Sequence, residues 1–156
     1  MSVTWKSKGM RQEYRIFRDK IIVGIFKKEG WKSTAYGEFN GAMLRFKPKS
    51  FWNTGTVIYD IEGENQLGTI EYNSWKSTGS VVFQGQTFEW KYDSRWKRNK
   101  WTISNGADFA AFHITSIWKG EGEIEIEGIP AALVIIGLYI HDHFETMTTA
   151  VIIAST

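Results

Sequence analysis

The chain has 156 residues, no cysteine and a formal net charge of +2. That length fits one domain around a single core, and the missing thiols exclude a disulfide framework and any thiolate metal site. An apolar fraction of 42% excludes disorder, and an aromatic fraction of 15% favours strands, on whose pleated faces flat rings pack.

Taken from the N-terminus, Met1–Phe17 carries charge early and lacks an apolar stretch, so no signal peptide and a cytoplasmic location are expected. Beyond it the apolar period is two. Leu44 and Phe46 alternate with Arg45 and Lys47, and Val57, Tyr59 and Ile61 alternate with Ile58, Asp60 and Glu62. Phe88, Trp90 and Tyr92 alternate with Glu89, Lys91 and Asp93, and Ile124 and Ile126 with Glu123, Glu125 and Glu127. Each run reads as a half-buried strand. Turn signals separate the runs at Arg18-Asp19, Asn40-Gly41, Gly63-Glu64-Asn65, Gln84-Gly85, Arg98-Asn99 and Asn105-Gly106. Asn-Gly between alternating strands predicts a type I′ hairpin, which needs φ > 0 at both central residues.

A Trp-Lys pair recurs at Trp31-Lys32, Trp75-Lys76 and Trp118-Lys119, 44 and 43 residues apart. Seven residues before each Trp stands Gly24, Gly68 or Ala111, preceded by Val23, Leu67 or Ala110. Ten residues after each Trp stands Gly41, Gly85 or Gly128. Self-similarity at a fixed period means one supersecondary unit built three times, over about 23–66, 67–109 and 110–156. The three Trp and the three Gly are accordingly read as structural. About four strands per unit gives roughly twelve antiparallel strands. A meander that long exposes sticky edges unless it closes, so a barrel is expected. A propeller of three blades would fall below the usual range of about four to eight.

The third unit ends differently. Pro130 suits the first turn of a helix, and Ala131–Ile140 is apolar on every side, so a helix over about 130–143 must be surrounded. Ten apolar residues followed by His141-Asp142-His143 are too short for a membrane span of about 20. The helix is therefore placed down the middle of the barrel, with Leu133, Ile136 and Ile140 among its filling side chains. A barrel of twelve strands is too wide for its own side chains to fill.

Serial glycine-punctuated strands, the Val23-Gly24, Leu67-Gly68 and Trp-Lys elements, and an apolar helix at Ala131–Ile140 together resemble the tubby C-terminal-like superfamily. That group comprises tubby domains, LURP-one-related proteins, phospholipid scramblases and small bacterial proteins. The resemblance covers nearly the whole chain and implies the fold: a closed barrel enclosing a helix. It rests on pattern, no signature motif matches, and the phosphoinositide-binding positions of tubby find no counterparts. The acidic residues expected near the scramblase helix have none within Ala131–Ile140. Fold transfers more readily than activity.

For chemistry, the chain has no nucleophile elbow, P-loop, GxGxxG after a strand, or HExxH. His141 and His143 would diverge on a helix by about 200°, and His113 is not placed near them, so no metal and no cofactor are expected. Imidazoles there fit a polar helix end. Glu121, Glu123, Glu125 and Glu127 read as a solvated strand face, and no catalytic residue is assigned. The densest candidate is the stretch from Trp90 to Trp101, a hairpin turning at Arg98-Asn99. Its Lys91, Arg95, Trp96, Lys97, Arg98 and Lys100 mix cations with an indole, which suits anionic headgroups. The same mixture suits single-stranded nucleic acid, but with so small a net charge nucleic acid is not the expected partner. A plain soluble hairpin, with Trp90, Trp96 and Trp101 partly in the core, accounts for the alternation as well. The sequence thus points to a non-enzymatic binding or scaffold domain for an anionic phospholipid or phosphate-bearing ligand, cytoplasmic or peripheral to a membrane. The alternatives are a calycin-like carrier of a small apolar ligand, whose barrel would be empty, and a protein-interaction domain.

Overall fold

Twelve strands pair only with their neighbours in sequence and then close on themselves. They are β1 (Ser2–Lys8), β2 (Glu13–Arg18), β3 (Ile21–Lys28), β4 (Ala35–Phe39), β5 (Ala42–Pro48) and β6 (Gly55–Tyr59). β7 (Gln66–Asn73), β8 (Thr78–Phe83), β9 (Gln86–Tyr92), β10 (Lys100–Asn105), β11 (Asp108–Ser116) and β12 (Glu121–Glu127) complete the set before the single helix α1 (Ala132–Ser155). β1 seals the barrel against β12, with Val3 opposite Ile124 and Trp5 opposite Gly122. This computed structural model describes residues 1–8, 12–29, 34–49, 55–94 and 96–155, with side chains as far as Thr148. Trp31 and Arg95 lie outside the described residues.

Period two turns one side chain in and the next out along each strand. Trp5, Ile16, Phe26, Phe46, Ile70, Trp90, Trp101 and Ile124 all face the core, while Glu123, Glu125 and Glu127 stay in solvent. In β6 the phase is opposite to the one expected. Ile58 and Thr56 point inward, Val57 and Tyr59 are half-buried, and the strand stops at Tyr59. Asp60 ends it, since its carboxylate accepts the backbone N–H of Glu64 and of Asn65 and the Asn65 side-chain amide. Thr56 tolerates the interior because its hydroxyl meets the phenols of Tyr72 at 2.9 Å and Tyr139 at 3.1 Å.

Two hairpin turns have the expected backbone: Asn40 and Gly41 take φ 47° and 83°, and Gln84 and Gly85 take 48° and 80°. At Asn105-Gly106 only the glycine is positive, at 64°, because Asn105 still pairs with Asp108 as the last residue of β10. Gly128, after β12, takes 71°. Val23 and Leu67 are the extra residues of two bulges, where the register slips against β2 and β6. At the following glycines a Cβ would stand 2.7 Å from the Glu38 carbonyl oxygen and against the Val82 carbonyl. That accounts for the Val-Gly and Leu-Gly pairs. The third copy departs, because the irregularity in β11 falls between Ile114 and Ser116, not at Ala110-Ala111. Trp75 and Trp118 lie in the turns 74–77 and 117–120, four strands apart, and neither packs in the core.

The helix runs through the barrel as its core. Leu133, Ile136 and Ile140 are fully buried, as are Val134, Ile135 and Leu138. It is longer than expected, ending at Ser155 and not near 143. His141, Asp142 and His143 do not end it; they are buried in its middle. They remain helical because the barrel wall supplies partners: Lys28 pairs with Asp142 at 3.0 Å, and the Tyr92 hydroxyl meets His141 Nδ1 at 3.0 Å. Among the described residues no helix is long and apolar enough to cross a membrane.

Candidate functional site

Antiparallel pairing sends successive connections to alternate ends of the barrel. α1 starts beside Gly128, at the end that holds the short turns after β2, β4, β8 and β10. It leaves at the opposite end, where the Lys28 ammonium reaches Thr146 Oγ1 at 3.5 Å and the Arg98 guanidinium donates to Thr148 Oγ1 at 2.9 Å. The turn 74–77 and the loop 93–99 share this exit end.

A groove of about 370 Å³ opens between that turn and that loop. Trp75 and Trp96 form its aromatic sides and are 90% and 92% exposed. Lys76, Lys91 and Arg98 supply cations, and Ser77 and Thr78 supply hydroxyls. Among the described residues no carboxylate pairs with any of the three cations. Arg98 is the most fixed of them. Its guanidinium lies 5.3 Å from the centre of the Tyr92 ring and donates to Ser77 Oγ at 3.3 Å as well as to Thr148. Lys97 and Lys100 are exposed beside the groove without lining it. Trp90 and Trp101, by contrast, are fully buried, so Trp96 is the indole that the hairpin presents to solvent.

Behind the groove lies a polar layer carried by α1. His141 stacks on Trp101 at 3.8 Å, and Tyr14 OH donates to Asp142 Oδ1 at 3.4 Å. His143 stacks on Tyr72 at 3.7 Å. Burial, then the neighbouring Glu145 carboxylate, holds the Tyr92 phenol far above its ordinary value. Burial also pushes Tyr139 up to about 12 and Tyr72 well above 10. It drives His143 down to about 4. These groups stay neutral at pH 7, so the layer is a hydrogen-bonded and stacked anchor for the helix. The two imidazoles stack on different strands, β10 and β7, and do not converge.

The sequence located the hairpin but not its companion. The repeated Trp75-Lys76 pair stood out as a fold signal, whereas its position across the groove from Trp96 depends on the pairing of β8 with β9. Comparison with known proteins returns no match: no family model, curated protein or solved structure is significantly similar to the chain.

Proposed function

We propose that the chain is a non-enzymatic binding domain for a phosphate-bearing anion, in the first place the headgroup of an anionic phospholipid, received in the groove between Trp75 and Trp96. The observation that carries this reading is three cations that have no carboxylate partner among the described residues, set between two solvent-exposed indoles. Guanidinium and ammonium groups offer charge-assisted hydrogen bonds to phosphate oxygens. Indoles beside them suit the boundary between water and lipid. The carrier alternative needs an empty lumen, and α1 fills the lumen with buried Leu133, Ile136 and Ile140. A peripheral, cytoplasmic location belongs to the same reading, as does kinship with tubby-like barrels, which the filled twelve-stranded architecture supports.

Sedimentation with vesicles tests it. Binding should rise with the phosphatidylserine fraction and fall with salt, since exposed charge is screened beyond about 8–10 Å at physiological ionic strength. Replacing Lys76, Lys91 and Arg98 by Gln should weaken it by up to about 1 kcal/mol per charge. A triple variant that binds anionic vesicles as tightly as the parent would make the groove an ordinary solvated surface.

A further inference from the structure

The two ends of the barrel differ in charge. At the exit end of α1 the described connections carry Lys49, Lys76, Lys97, Arg98 and Lys119 against Glu29 and Asp93, a balance of five minus two, or +3. Lys49 pairs with Glu71 and Glu29 with Arg45. At the entry end Asp19, Asp60, Glu62 and Glu64 stand against Lys20, one minus four, or −3. A molecule polarised in this way turns its basic end toward an anionic surface and its acidic end away.

The ends differ in aromatic content as well. Trp5, Trp90 and Trp101 face the core, whereas Trp75, Trp96 and Trp118 are 90%, 92% and 99% exposed, and all three lie in exit-end connections. Ile117, 66% exposed, stands next to Trp118. Trp31 and Trp52 fall in the sequence between β3 and β4 and between β5 and β6, outside the described residues. Indoles carry 150–250 Å² of mostly apolar surface each, so three of them in water at one end mark a contact surface.

From the turn 74–77 to the turn 117–120 the rim crosses four of twelve strands. At about 4.8 Å per strand, that puts Trp118 on the order of 20 Å from the far side of the groove, and on the order of 10 Å from its near side at the loop carrying Trp96 and Arg98, two strands away. One small anion bound in the groove cannot reach Trp118. A planar surface laid on the rim meets both places.

We infer that the exit end is a bilayer-docking face: the barrel stands end-on on an anionic leaflet, the groove takes one headgroup, and Ile117 and Trp118 enter the interface at a second point. This rests on the anion-binding reading above and adds to it the source of the phosphate and the orientation of the barrel. Trp settles at the headgroup level of bilayers, and juxtaposed Lys and Arg are drawn to anionic leaflets. Single-stranded nucleic acid would use the cations and the indoles, but it gives an exposed Ile117 nothing to contact.

Two variants separate the contact points. Ile117→Ser with Trp118→Ala removes the second anchor, and Lys76→Gln with Lys91→Gln disarms the groove; these exposed positions should leave the thermal unfolding of both proteins unchanged. The probes are phosphatidylserine–phosphatidylcholine vesicles, dihexanoyl phosphatidylserine below its micellar concentration, and a dT oligonucleotide. The Ile117/Trp118 variant should bind vesicles about fivefold or more weakly, while its affinity for the short-chain lipid stays at the parent value. The Lys76/Lys91 variant should lose affinity for both. Brominated acyl chains should quench parent Trp fluorescence, and Trp118→Ala should be quenched less. Vesicle binding unchanged in the Ile117/Trp118 variant would overturn end-on docking and leave anion binding in the groove standing. So would a parent that binds the short-chain lipid but not vesicles. A parent that binds neither overturns both readings, and an oligonucleotide that displaces the protein from vesicles overturns docking in favour of nucleic acid.

Discussion

His143 gives the most direct test of how the helix is held. Its imidazole is 7% exposed, lies flat on Tyr72 at 3.7 Å and meets the edge of Phe144 at 5.3 Å. Nε2 is buried with no hydrogen-bond partner among the described residues. Burial lowers its pKa from 6.5 to about 4, because the charged ring would lose its hydration without gaining a counter-ion. Between those two values the unfolded chain binds a proton that the native protein refuses. The stability contributed by the neutral ring is therefore complete above about pH 6.5 and is lost as pH falls, by up to about 1.4 kcal/mol per pH unit, until about pH 4. Over 2.5 units this amounts to about 3 kcal/mol, a large part of the roughly 5–15 kcal/mol that holds a domain folded. Urea unfolding from about pH 7.5 to about pH 4, in the parent and in His143→Phe, reads the effect. Phe keeps the stacking, has no proton to gain and leaves no orphaned ring nitrogen, so at pH 7 the variant should be neutral to stabilising. Carboxylates titrate in both proteins, so the quantity of interest is the difference between the two curves. It should widen in favour of Phe as the solution is acidified. Parallel curves would mean that the imidazole is hydrated or paired in the native state, and the account of a dry, stacked anchor would be wrong.

The remaining predictions concern the filling of the barrel. A chain ending after Gly128 should not fold cooperatively, because Leu133, Val134, Ile135, Ile136, Leu138, Tyr139, Ile140 and Phe144 are all buried, and at ~1.5–3 kcal/mol each their loss is as large as or larger than the roughly 5–15 kcal/mol of usual net stability. A monomeric truncated protein with a sharp urea transition would show that the helix is not the core. Gly137→Ala should cost about 1–2 kcal/mol net, since its Cβ would stand 2.5 Å from Phe112 Cζ, and overpacking of ~1–3 kcal/mol outweighs the ~1 kcal/mol of helix propensity gained. Phe112 is stacked on Trp101 at 5.3 Å and cannot swing aside, so Phe112→Leu in the same chain should recover part of the loss in a double-mutant cycle; a stabilising Gly137→Ala would show that the ring is free to move.

The alternating strands and the enclosed helix were legible because each depends on local pattern, whereas the count of about twelve came through a threefold repeat whose third copy lacks the bulge of the first two. Alternation marks Leu44-Phe46 and Phe88-Trp90 as inward pairs, Asn40-Gly41 fixes a hairpin by sterics, and an all-apolar Ala131–Ile140 has to be enclosed. What failed depended on partners distant in sequence. Polar His141-Asp142-His143 reads as an end until Lys28, Tyr14 and Tyr92, from β3, β2 and β9, are seen to meet it. The β6 phase is hidden in the sequence for the same reason. Thr56 looks like a surface residue, and only the phenols of Tyr72 and Tyr139 make it an interior one. The groove was half legible: the cations of the hairpin were visible, but not their neighbours across β8.

The recurring Trp-Lys pair links these levels, and its exposure decides what its recurrence concerns. Were Trp75 and Trp118 packing residues, their spacing would need no reason beyond a core built in equal units. They are 90% and 99% exposed, so they add almost nothing to burial, and the folded state gains little from an indole in either turn. The structural share of the pattern falls instead on Val23-Gly24 and Leu67-Gly68, whose bulges and close carbonyl contacts require it. Because buried side chains of α1 fill the lumen, the described residues leave the outside of the barrel as the surface for the proposed contact. Of the outer surfaces, the exit end combines unneutralised cations, exposed indoles and a fixed guanidinium at Arg98. Arg98 also ties that end to α1 through Thr148, so an anion drawn to the groove meets a group already oriented by the helix that stabilises the fold.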